Sequence, residues 1–259
     1  MKEKIFIFIL LTIFLLTLSG NNIITPRVFA QNDNPPKIVP RTVLAELFVQ
    51  EGCLTCPTVE FCLEDLAWEY GNTKLILVQE HLWGDGYDTP ETNARYNWYV
   101  GDSRKGTPDV FINGLTKRLQ GLACDCVEGN YECYKDAIDK ELTRPSLLEL
   151  SASKTIIEDD YIIEGTVKNI SDTSLKDLAV CGMVGKEGDE SGLYNYIQDI
   201  FPFQNMPTLL PGATFNFKFI PEISLVPESE VDDEKEVLHL VIFVQNTETK
   251  EILQALYIE

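Results

Sequence analysis

The chain of 259 residues carries 41 acidic and 21 basic side chains, a net charge of −20. A field of that sign repels phosphate backbones and anionic bilayers, which argues against nucleic acid and anionic membrane surfaces as partners and describes a soluble protein with an acid-rich surface. The length suits two ordinary domains better than one large one.

The first residues, MKEKIFIFILLTIFLLTLSG, place Lys2 and Lys4 before an apolar run from Ile5 to Leu18, followed by Ser19 and Gly20. That is the layout of an export signal over residues 1–30, and RVFA before Gln31 puts small or branched side chains where cleavage after Ala30 would fall. The run is short for a spanning helix; left uncleaved, it would anchor the chain to a membrane. Everything beyond it is expected outside the cytoplasm, whether secreted, periplasmic or on the outer cell surface. Disulfides persist there, and seven cysteines leave at least one thiol unpaired.

Residues 31–41, QNDNPPKIVPR, hold three prolines and read as a linker. Next come a strand in TVLAELFV (42–49), a helix in PTVEFCLEDLAWEY (57–70) closed by Gly71, and a strand in KLILVQEHL (74–82) whose continuous apolar start suits a parallel strand covered on both faces. A helix in PETNARYNWYV (90–100) precedes a strand in PDVFING (108–114). Asn113-Gly114 then signals a hairpin, TKRLQGL is its returning strand, and YECYKDAIDKEL supplies a last helix. After Pro145 the pattern alternates. LLELSAS, YIIEGTVKNIS, LKDLAVCGMVG, TFNFKFI, EVLHLVIFVQN and ILQALYIE read as short strands separated by polar turns, an antiparallel β-sandwich of immunoglobulin-like type.

Between the first strand and the first helix lies GCLTCP, and GTPDVFING brings a Thr-Pro peptide into the third strand. With these motifs, residues 42–144 resemble the thioredoxin superfamily, and especially exported thioredoxin-like proteins with an ELF…GCxxCP opening; GTVKNISDTSLKDLAV resembles the strand-turn-strand of bacterial immunoglobulin-like modules. The expected fold is therefore an α/β thioredoxin-like domain over 42–144 followed by an all-β immunoglobulin-like sandwich over 145–259. The resemblance implies a cis peptide at Pro108 that packs against the cysteine pair, with Thr107 and Pro108 forming a platform for an extended substrate.

A helix N-terminus lowers a thiol pKa from about 8.5 toward 7 or below, which makes Cys53 the nucleophile; Cys56, one turn in, is the resolving thiol. Glu51 and Glu60 flank the pair with no cation between them, which favours a mild or reducing couple over a strong oxidant. Glu46 has the wrong spacing to lie behind the pair, since it falls on the other strand face. No bound cofactor and no metal are expected, because the C-x-C of CDCVEGNYEC is a poor partner knuckle for a zinc site. Cys133 pairs instead with Cys124 or with Cys126. Cys62 and Cys181 read as buried small hydrophobes, and His81 and His239 as structural.

The reading that follows is an extracytoplasmic thiol–disulfide oxidoreductase exchanging disulfides with protein thiols and an unknown redox partner. Its rival is a non-catalytic scaffold with a static Cys53–Cys56 bond. The segment LYNYIQDIFPFQNMP (193–207) is rich in aromatic side chains. It is expected to bury Tyr194, Tyr196, Ile200, Phe201 and Phe203 against the first domain, fixing the two domains together. Asn169-Ile170-Ser171 is a glycosylation sequon if the source is eukaryotic.

Overall fold

A computed structural model describes residues 38–124, 131–157, 160–186, 194–221 and 238–258, so the export signal and most of the linker lie outside the described residues. Strands β1 (Val43–Val49) and β2 (Leu75–His81) run parallel, Val43 beside Leu75 and Val49 beside His81, and every residue of both is buried. Helix α1 (Cys56–Tyr70) makes the crossover between them, with Pro57 in its first turn, where a missing N–H leaves nothing unpaired. Helix α2 (Pro90–Val100) opens with a capping box, Thr89 and Thr92 each accepting the other's backbone N–H. Strand β3 (Asp109–Ile112) pairs antiparallel with β1 and with β4 (Lys117–Gln120), through a hairpin whose Asn113 and Gly114 both have positive φ. Helix α3 (Glu132–Leu142) follows. Each element expected from the periodicity of this stretch is present.

The second stretch supplies β5 (Leu148–Ile157), β6 (Asp160–Asn169), β7 (Leu178–Lys186), β8 (Tyr196–Ile200), β9 (Gln204–Asn205), β10 (Thr214–Phe219), β11 (Leu238–Asn246) and β12 (Ile252–Ile258). All six strands expected there are found, and β8 and β9 are additional.

How these strands assemble overturns the expected fold class of an α/β thioredoxin-like domain with a separate sandwich behind it. The described residues are mostly β. A nine-stranded mixed sheet runs in the order β12-β11-β7-β8-β2-β1-β3-β4, with β9 added beside β7, and a second sheet has the order β10-β6-β5. The cause is β8. The outer edge of β2 carries unpaired backbone groups, and a strand edge is stable only when paired or covered. β8 fills that edge, parallel to β2 at Gln79 and Tyr196 and antiparallel to β7 from Met183–Ile200 onward. Gln79 N donates to Asn195 O at 3.2 Å, and Asn195 Nδ2 donates to Leu77 O at 2.8 Å. A segment read as aromatic cover is thus a strand that welds the two halves.

The cores follow the sheet. One face of β1 and β2 packs with α1 and α3 through Ala45, Leu47, Val59, Leu63, Leu77 and Ile138. Their other face contributes Leu44, Ile76 and Val78 to a cluster completed by Cys181, Met183, Val241 and Phe243 from β7 and β11. The smaller sheet covers the remaining face of β7 and β11 through Leu148, Val167, Val180 and Ile242. The aromatic segment accordingly divides its contacts. Tyr196 meets His81 and Tyr87, and Phe203 meets Trp98 across the junction, whereas Phe201 packs on Phe219 in the sandwich. Asn169 is fully buried and commits its amide to Thr173 O and Leu209 O, so the sequon is closed in the folded chain.

At the seam lies a buried polar cluster. Arg95 donates to Glu46, to Tyr99 OH at 2.7 Å and to Gln245 Oε1 at 3.3 Å; Tyr99 OH donates to Glu46 Oε2 at 2.7 Å. Glu80 is fully buried 3.7 Å from Arg95 Nε. Burial and the charge of Glu46 hold its pKa well above the ordinary value of 4.5, with Arg95 pulling the other way. Because the folded-state value lies above the unfolded one, this contribution to stability is fully present below the unfolded pKa and is lost as pH rises through the folded one. Glu80→Gln, which keeps the neutral shape, is therefore expected to flatten the loss of stability toward alkaline pH. Urea midpoints of both proteins across a pH series check it; parallel curves would show that Glu80 ionises as easily folded as unfolded.

Candidate functional site

Cys53 leaves β1 through a tight turn in which its N–H donates to Gln50 O at 3.1 Å and Gly52 adopts φ 78°. It is bonded to Cys56, the first residue of α1, with the two Cα atoms 5.5 Å apart. Cys56 is 2% exposed, in the apolar cluster with Val49 and Val59, whereas Cys53 is half-buried and Leu54 stands 96% exposed. The backbone N–H of Cys56 donates to Cys53 Sγ at 3.2 Å. Thr55 at the helix cap makes no side-chain capping bond, and no acidic residue lies in the first turn. The positive end of the helix is thus aimed at the sulfur that is open to solvent.

Pro108 precedes β3, and the pairing of Asp109 with Phe48 sets it level with the end of β1, from which the chain runs to Cys53. The Thr107–Pro108 peptide is cis, as the resemblance implied; Pro108 is buried and Thr107 half-buried. Strand register thus brings Cys53, Cys56, Thr107 and Pro108 to one end of β1.

The acids divide by face. Glu46 points away from α1 and pairs with Arg95, as its spacing required. Glu60, one turn beyond Cys56, is half-buried, and burial followed by the nearby charge of Glu64 raises its pKa to about 7. Glu64 accepts from Gln79 Nε2 at 3.3 Å.

Sequence reasoning missed Asp85. Its Oδ2 accepts from Glu51 N at 3.0 Å and lies 2.6 Å from His81 Nδ1, while Oδ1 accepts from Tyr87 N at 3.0 Å. One buried carboxylate thereby ties the loop before Cys53 to the end of β2. The only available signal was the Gly84-Asp85-Gly86 turn, whose glycines have φ of 78° and 91°.

Of the two pairings left open for Cys133, the bond to Cys124 is the one present. Cys62 corrects its reading as a mere buried hydrophobe: it is buried and also disulfide-bonded. Cys181 is a free thiol buried in β7, its pKa pushed up by burial. A concavity of about 780 Å³ lies on the smaller sheet, lined by Ser151, Ser153, Thr166 and Asn216, and includes none of the residues around Cys53.

No protein-family model matches the chain, and no curated protein matches its sequence. Among solved structures it is similar to HBP35 of Porphyromonas gingivalis, 18% identical with a TM-score of 0.62 over 85% of this chain and 75% of that one. That likeness is one of fold. A domain of the outer membrane lipoprotein Omp28 from Porphyromonas gingivalis is 16% identical over 44% of this chain and 88% of its own, with a TM-score of 0.28. A Bacteroides uniformis β-glucuronidase is 19% identical over 42% of this chain and 12% of its own, with a TM-score of 0.31.

Proposed function

We propose that the protein is a thiol–disulfide oxidoreductase that works outside the cytoplasm on protein thiols and disulfides. One observation carries the reading: a half-buried Cys53 sulfur receives the Cys56 N–H at 3.2 Å at an uncapped helix start, the arrangement that stabilises a thiolate. Cys53 attacks, Cys56 resolves, and Thr107 and Pro108 offer the platform for an extended substrate. The likeness of GCLTCP and GTPDVFING to redox motifs supports the same chemistry. The carboxyls of Glu51 and Glu60 near the pair oppose a thiolate, which favours a mild or reducing couple. The export-type N-terminus and the disulfides at Cys124 and Cys62 support the location.

Insulin reduction and oxidation of reduced ribonuclease test the reading. The wild type is expected to outpace the Cys53→Ser, Cys56→Ser double variant in at least one assay, and equal rates in both would sink it. A second reading, a static staple in a binding scaffold, draws on the neighbouring Cys124–Cys133 bond, which shares the apolar cluster of Cys56. A reduction potential for Cys53–Cys56 well below about −300 mV would select that reading.

A further inference from the structure

The resolving sulfur is buried, so the proton of its thiol has to leave through the protein. Cys56 is 2% exposed among apolar side chains, and forming its thiolate there is costly without a nearby proton acceptor. Helix geometry supplies one. Residues four apart stack on one helix face with Cβ atoms about 6 Å apart, and helical side chains lean back toward the N-terminus, over the preceding turn. Glu60 stands four residues beyond Cys56, so its carboxyl covers the turn that holds the sulfur, and Glu64 stands one turn further on.

A second observation on β2 points into the same layer. Gln79 is fully buried and shares its strand face with Leu77, against α1. Its Nε2 is spent on Glu64, while its Oε1 is buried with no hydrogen-bond partner among the described residues. An amide oxygen in that state is matched by a donor, which a protonated carboxyl provides and an ionised one does not. The groups facing this layer are Glu64 from α1, Gln79 and His81 from β2, with His81 held by Asp85, and Tyr194, packed against the same cluster. Burial and Glu64 bring the Glu60 carboxyl to about 7, where it exchanges protons in either direction near neutrality.

We propose that Glu60 is the proton-exchanging group of the resolving cysteine, one helical turn beneath it. The inference rests on the exchange reaction proposed above. From the mixed disulfide between substrate sulfur and Cys53, the Cys56 S–H proton passes to the Glu60 carboxylate. Cys56 Sγ attacks Cys53 Sγ, the Cys53–substrate S–S bond breaks, and the substrate leaves as a thiolate that takes a proton from water. Two electrons have then moved from the cysteine pair to the substrate disulfide, and half-buried Glu60 returns its proton to solvent. In the opposite direction the same carboxyl protonates the departing Cys56 sulfur.

The test uses the full chain with its pair reduced by dithiothreitol, mixed with dithio-bis-nitrobenzoate in a stopped-flow instrument. Cys53 attack releases one coloured thiolate and Cys56 attack a second, with Cys53→Ser defining release from elsewhere. In the wild type, the second release is expected to follow a titration near neutral pH. Glu60→Gln should slow the second release about 10²-fold at neutral pH and remove that titration, leaving the first unchanged; Glu60→Asp should restore part of the rate. A second release in Glu60→Gln with wild-type rate and pH profile overturns the assignment alone. A pair that dithiothreitol cannot reduce while the fold persists overturns the exchange reading and this inference with it.

Discussion

Replacing Arg95 by methionine is expected to lower stability by about 3–5 kcal/mol, because it strands a buried carboxylate rather than merely removing a pair. Arg95 is 5% exposed and Glu46 fully buried, and the guanidinium also lies over the rings of Tyr99 and Phe243 at 4.8 and 4.9 Å. Methionine keeps the apolar stem but supplies no donor for Glu46, no partner for Tyr99 OH or Gln245 Oε1, and no positive charge opposite Glu80. Urea unfolding of the variant checks the loss. The double variant Arg95→Met, Glu46→Gln should recover more than half of it, since the stranded charge is gone. A loss below about 1 kcal/mol in the single variant would mean that water reaches the cluster.

Phe243→Ala is expected to cost about 3–5 kcal/mol as well, and the shape of the transition matters as much as its size. Phe243 is fully buried in the cluster that β11 and β7 share with Leu44, Ile76 and Val78 of the first two strands. All three tryptophans, Trp68, Trp83 and Trp98, lie before Pro145, so fluorescence reports that half, while far-ultraviolet circular dichroism is weighted by the strands of both. With one sheet running through both halves, the two signals should shift together in a single transition. Separate transitions, with fluorescence unmoved, would show halves that unfold independently. Because Phe243 touches Arg95, its effect and that of Arg95→Met should not add.

Local signals in the sequence revealed nearly every element, and they revealed the bonded cysteine pair. Alternation marked β5, β6 and β10, Asn113-Gly114 marked the β3–β4 turn, and GCLTCP marked a cysteine pair at a strand-to-helix junction. These patterns are written within one or two turns of chain. What stayed hidden depends on partners far apart in sequence: Arg95 and Glu46 are separated by 49 residues, Arg95 and Gln245 by 150. A lone arginine in a helix reads as solvated until a strand from the other end of the chain covers it. β8 was hidden for a related reason. Its pairing with β2 joins Gln79 to Tyr196, and its short, aromatic, half-polar run lacks the clean alternation that identifies a strand. Cys62 misled because a half-cystine on an apolar helix face has the same pattern as a packed methyl group.

The place of β8 also governs the timing of assembly. Ribosomes deliver the chain from its N-terminus, so β1, β2 and α1 emerge while the strand that seals the flank of β2 is still unmade. Throughout that interval a largely apolar parallel ribbon presents an open row of amide and carbonyl groups to whatever is nearby, and in a crowded compartment that includes other nascent copies. The vulnerable period ends only when Tyr196–Ile200 arrives, after the cysteine pair and helices α1, α2 and α3 have emerged.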